Sequence, residues 1–183
     1  GNKGLAGAGA INDTGVHRLE LCLHTMDNIE TGSVTGATYT KFGNRGLGEG
    51  GWGNSDKVET IFDVDDLASA MIKMKNGATV LLEVTWACHT AEANKMDVEL
   101  FGTEAGASLY PAKIYKSDPQ TEGYQIIEKF AGDVPLAHGS RFHNFVNAIQ
   151  GTEELLVKPE QALVIQKILD AVAQSCATGK EVA

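Results

Sequence analysis

Two runs of strand-type sequence, "DDLASAMIKM" and "ATVLLEVTW", stand on either side of Lys75-Asn76-Gly77. In the second run Val80, Leu82, Val84 and Trp86 alternate with Thr79, Glu83 and Thr85, the period of two that sends successive side chains to opposite faces of a strand. Asn-Gly takes up the positive φ angles of a tight hairpin turn at little cost, so the pair between these runs is a strong hairpin signal. A fold for this chain has to contain an antiparallel pair here.

The flanking sequence extends that sheet. "SVTGATYTKF" (33–42), "KMDVELFG" (95–102), "ASLY", "AKIYK" and "GYQIIEKF" read as further short strands, about six strands in all, split by Gly106, Pro111 and the Asp118-Pro119 turn. Helical spacing appears at both ends. Val16, Leu19, Leu23 and Met26 form an apolar stripe within a helix from Asp13 to Asp27. Phe142, Phe145, Val146 and Ile149 form a second stripe that Gly151 ends. Pro159 suits a first helical position, and Ala162, Ile165, Leu169, Val172 and Cys176 run to Gly179 as C-cap. Strands clustered between helices predict an α+β fold: an open, mainly antiparallel sheet with helices packed on one face. The alternating βαβ pattern of a dinucleotide-binding domain is missing.

At 183 residues the chain is long enough for a sizeable core in one domain. Its net charge of −9 argues against a nucleic-acid groove, which needs a basic stripe. No apolar run reaches the roughly 20 residues of a membrane span. Cys22, Cys88 and Cys176 are scattered and odd in number, which points to a reducing, cytoplasmic setting. Gly1-Asn2-Lys3 does not look like a natural start, and the expectation is a piece cut from a longer chain.

Two glycine runs invite a phosphate-binding reading. Residues 46–51, "GLGEGG", match G-x-G-x-x-G by letter, but the polar, acidic stretch that follows carries no helical stripe. A loop is the better reading. The run Gly7–Asn12 does precede a helix, yet it lacks the third glycine; its small residues suit close approach to a strand or a ligand.

On that first helix Asp13, His17, Glu20 and His24 fall within a sector of about 60°. A solvated polar face explains Glu20 and His24 adequately. Asp13 and His17 sit beside the glycine run, where a substrate can reach the helix end, and at i, i+4 they can meet. An imidazole with a carboxylate neighbour suits proton transfer near neutral pH. Gly15 between them costs about 1 kcal/mol relative to Ala, a cost that close packing of a ligand or backbone would offset. A metal site is not expected: His17 and His24 lie roughly 10 Å apart along the axis, and the chain has no HExxH.

"GAINDTGVHRLEL" resembles the G-x-[LI]-x-D-x-G-x-H-x-x-D signature of the Gfo/Idh/MocA oxidoreductases, the family of glucose–fructose oxidoreductase and inositol dehydrogenase. "DVDDLASAMIKMKNGATVLLEVTWA", "VELFGTEAGASLYP", "RFHNFVNAIQG" and "KPEQALVIQKILDAVAQSCATGKEV" are similar to further family segments in the same order. The resemblance implies that residues 1–183 are the C-terminal substrate-binding and oligomerisation domain of a two-domain dehydrogenase. Its substrate would be a sugar, cyclitol or related polyol. NAD or NADP would bind mainly to an N-terminal Rossmann domain that also supplies a lysine, so this chain alone would be inactive. By match, His17 is the general base or a hydrogen-bonding partner, and Asp13 orients it and grips a neighbouring hydroxyl. Asn12, Glu20, Trp86 and His89 are candidate substrate contacts, with Glu20 standing where the family usually has Asp. Homo-oligomers would form through the sheet face away from the helices. Two alternatives remain open at this point: a non-catalytic sugar-binding or oligomerisation module, and a nicotinamide-using glycosidase of the same family.

Overall fold

The computed structural model describes residues 1–47, 61–92, 95–128 and 140–183. In chain order the first elements are α1 (Lys3–Ala6), a π-helical turn (Ile11–Gly15), α2 (Val16–Thr25), β1 (Thr31–Tyr39) and a 3-10 turn (Gly43–Arg45). There follow β2 (Leu67–Met74), β3 (Thr79–Thr85), β4 (Glu99–Phe101), β5 (Gly106–Leu109), β6 (Ala112–Asp118) and β7 (Gly123–Ile127), then α3 (Arg141–Ile149) and α4 (Pro159–Thr178). These elements divide into two compact units, residues 1–91 with 159–183, and residues 92–158. The strands separate accordingly into two antiparallel sheets, β1-β2-β3 and β4-β5-β6-β7.

In the first unit the hairpin forms as its sequence dictates. Gly77 adopts φ +91°, and the Met74 N–H bonds the Ala78 carbonyl at 2.8 Å to close the turn. That register fixes which residues face the core. Ala68, Ala70, Ile72 and Met74 of β2 and Val80, Leu82 and Val84 of β3 are all buried, joined by Val34 of β1. Leu19 and Leu23 of α2 and Ile165, Ile168, Leu169 and Val172 of α4 pack on that face as one cluster. Each fully buried aliphatic contributes roughly 1.5–3 kcal/mol relative to an exposed one. The opposite face of the sheet carries Leu81, 79 % exposed, and Met71, 38 % exposed. The helices therefore cover one face of this sheet. Past α4 the chain end adds a bridge between Val34 and Val182. Glu181 there is paired with Ser33 and with Lys73, which hold its carboxyl below the usual glutamate range.

The second unit departs from its sequence pattern in two places. The run 95–102 alternates throughout, but only Glu99–Phe101 pairs as a strand. Just before it, the Asp97 carboxylate accepts the Val98 N–H at 2.8 Å, a local bond that competes with the ladder. In α3 the apolar stripe is exposed, with Phe142 at 67 % and Ile149 at 72 %, and Asn144 is the buried residue. Asn144 Nδ2 donates to Glu153 Oε1 and to the Glu154 carbonyl, and its Oδ1 accepts the Leu156 N–H. One amide thereby ties the helix to the turn that follows it.

Candidate functional site at the start of the first long helix

Asp65 shapes the glycine run. Its Oδ1 accepts the Gly9 N–H at 2.9 Å, its Oδ2 accepts the Ile11 N–H at 2.7 Å, and its carbonyl accepts the Ala10 N–H at 2.9 Å. A Cβ on Gly9 would stand 1.8 Å from the Asp65 carbonyl oxygen, so only glycine admits this approach. The donors a phosphate would need are thus occupied by a carboxylate of the same chain, which would also repel an anion. The run does not fit a pyrophosphate. The second glycine run lies mostly outside the described residues.

After the glycine run the chain winds one π turn, Ile11–Gly15, before α2 begins. The predicted helix from Asp13 to Asp27 is therefore a π turn followed by an α-helix that ends at Thr25. Turns bonded i→i+5 are uncommon and recur at functional sites. Gly15 is buried; a Cβ there would lie 3.2 Å from Ile11 Cδ1 and 3.5 Å from Val84 Cγ2. Packing on β3 offsets its helix cost, with no ligand required.

The π turn also changes who meets whom. Asp13 and His17 are both exposed, but among the described residues no hydrogen bond joins them. Instead the Trp86 indole Nε1–H donates to Asp13 Oδ2 at 2.8 Å. Trp86 follows β3 and is itself fixed: its backbone N–H bonds the Asp66 carbonyl at 2.8 Å, and its ring meets Phe62 edge-on at 6.4 Å. Thr85 Oγ1 donates to the same carbonyl at 2.8 Å while accepting the Ala87 N–H at 2.9 Å.

Asp66 is 1 % exposed. Its Oδ2 accepts three N–H groups, from Lys41, Phe42 and Gly43, at 2.7, 2.6 and 3.0 Å. Sequence reasoning treated "DD" only as the lead into a strand, yet the Asp65 carboxylate anchors the glycine run ahead of Asp13 and the Asp66 carboxylate anchors residues 41–43. The missed signal was the position of adjacent acids just ahead of a buried strand, where unpaired charge is costly.

The other candidates are distributed. Asn12 is half-buried and donates its backbone N–H to the Gly9 carbonyl at 3.1 Å. Glu20 and His24 line a separate cleft of about 160 Å³ with Leu23, Asp27, Gln161 and Ile165. His89 is exposed and packs edge-on against Phe42 at 5.2 Å. Asp13 and Trp86 are joined by a hydrogen bond and His17 is exposed on the helix that follows; Glu20 lines the cleft with His24. Burial pushes the Cys22 thiol up, which favours the protonated form over a nucleophilic thiolate. Among the described residues no group of three or more His, Cys, Asp and Glu side chains could hold a metal ion.

The antiparallel sheets and helices of this chain form a fold shared with solved oxidoreductases. Levoglucosan dehydrogenase, solved with NADH and levoglucosan, matches with a TM-score of 0.74 at 20 % identity, over 99 % of this chain and 51 % of that one. An oxidoreductase domain protein from Kribbella flavida matches at 0.70 and 22 % identity, over 98 % of this chain and 52 % of that one. D-glucoside 3-dehydrogenase of Escherichia coli is 30 % identical over 99 % of this chain and 50 % of its own length. The family model described as "Oxidoreductase family, C-terminal alpha/beta domain" matches residues 2–183, and the chain belongs to that family, Gfo/Idh/MocA. It spans about half the length of these relatives.

Proposed function

We propose that this chain is the C-terminal, substrate-binding half of a NAD(P)-dependent oxidoreductase that oxidises a secondary alcohol of a sugar, cyclitol or related polyol. The observation that carries this reading is the exposure of Asp13 and His17 at a glycine-framed helix start, with Asp13 held by Trp86. Oxidising an alcohol removes a proton from O–H and a hydride from C–H. A nicotinamide dinucleotide, when bound, supplies the hydride acceptor. The run Gly7–Asn12 does not fit its phosphates, and we assign that binding to residues outside this chain.

What these residues do is handle the hydroxyls. His17 takes the alcohol proton on a ring nitrogen, and Asp13 accepts a hydrogen bond from a neighbouring hydroxyl, which orients the ring carbon to be oxidised. Asn12 and His89 stand near enough in sequence to these segments to be proposed as outer contacts, and Glu20 as a contact to a more distant substituent. The sheet face bearing Leu81 and Met71 is our proposed surface for association of copies. The three free cysteines accord with a cytoplasmic setting.

The test is a panel of sugars, glycosides and cyclitols offered to the complete enzyme with NAD and with NADP. Nicotinamide reduction with at least one of them is expected. Hydrolysis of a glycoside without net nicotinamide reduction would overturn the dehydrogenase reading.

A further inference from the structure

Asp13 Oδ2 is held by an indole that lies 73 positions away in the chain, and that indole is fixed in turn by its backbone and by Phe62. An exposed carboxylate ordinarily samples several rotamers, and a fixed donor restricts it to one. Here a donor just past β3, its backbone bonded to the Asp66 carbonyl, does so without adding charge. A tryptophan N–H only donates, so it engages the carboxylate without competing as an acceptor for substrate hydroxyls. Among the described residues the indole is the partner that this carboxylate finds.

We infer that Trp86 is a positioning residue: its indole N–H fixes Asp13 Oδ2, so that Oδ1 is presented to a substrate hydroxyl in one orientation. This rests on the proposed role of Asp13 and assigns Trp86 a place behind the carboxylate. Trp86 thereby acts on the substrate through Asp13, and its effect depends on the carboxylate being there. A ring that merely filled space against Phe62 would have no such dependence.

The experiment is a double-mutant cycle on the complete enzyme with Trp86→Phe and Asp13→Ala. Phe keeps a ring against Phe62 and removes the N–H. A hydrogen bond to a charged group implies a loss of about tenfold or more in kcat/KM for Trp86→Phe in the wild-type background. In the Asp13→Ala background the same substitution is expected to change kcat/KM by less than about twofold, because the coupled pair is already broken. Equal losses in both backgrounds would overturn the inference.

A second readout does not depend on activity. The chain has two tryptophans, and Trp86→Phe identifies which indole N–H resonance belongs to position 86. That resonance is expected to move upfield in Asp13→Ala; an unmoved resonance overturns the inference even if a variant loses turnover for other reasons. Full activity of Asp13→Ala together with a moved resonance would instead overturn the role of Asp13 while leaving the hydrogen bond intact.

Discussion

His17→Ala in the complete enzyme is expected to lower kcat by about 10²-fold or more, the usual contribution of a positioned general base. The side chain is exposed on the second turn of the helical stretch, facing away from the cluster made by Leu19 and Leu23. Its removal therefore leaves no cavity in the core, and the folded state should be barely affected. Kinetics and stability separate cleanly at this position. Steady-state assays report kcat, and thermal unfolding of the same preparation checks that the fold persists. A variant with unchanged kcat would remove His17 from the mechanism. Loss of kcat accompanied by a large drop in Tm would move the residue from chemistry to structure.

Asp66→Ala should act in the opposite way, mainly through stability. Three backbone donors, at Lys41, Phe42 and Gly43, lose their acceptor at once. An unsatisfied buried donor costs about 1–3 kcal/mol. Two effects reduce the sum: residues 41–43 are partly or fully exposed, so water can reach some donors, and Asp66 Oδ1 has no partner among the described residues, so its desolvation cost disappears with it. A net destabilisation of about 3 kcal/mol is the expected balance. The urea midpoint at constant slope measures it. Asp66→Asn keeps one acceptor oxygen and should cost distinctly less than Asp66→Ala. Equal losses would mean that the three N–H bonds are not what Asp66 contributes.

The two cases show where sequence is informative and where it is not. The hairpin was legible because its determinants are local: Asn76-Gly77 sets the turn, and the period of two decides that Val80, Leu82 and Val84 are inside. Helices α2 and α4 were legible for the same reason, since Leu19 and Leu23, or Ile165, Leu169 and Val172, lie on one helical face. The π turn was not. It depends on Asp65 reaching Gly9 and Ile11 across more than 50 residues, which no local pattern encodes. The indole partner of Asp13 was not legible either: i, i+4 spacing allows Asp13 to meet His17, and nothing local points to the bond with Trp86. Trp86 was singled out as a pocket candidate because it follows the hairpin; in the structure its indole bonds Asp13 Oδ2. The exposed stripe of α3 shows the converse failure. Its apolar spacing predicts a helix correctly but not the buried residue, since Asn144 is drawn inward by hydrogen bonds to a turn that follows it.

The proposed function reduces to one proposed arrangement: a hydroxylated ring resting against the start of the first long helix, its reacting oxygen beside an imidazole. The direct measurement is a structure of the complete enzyme bound to the substrate that the panel identifies. One substrate oxygen is expected within about 2.6–3.2 Å of a His17 ring nitrogen, with a second accepted by Asp13. A substrate seated elsewhere, touching neither side chain, would contradict the account.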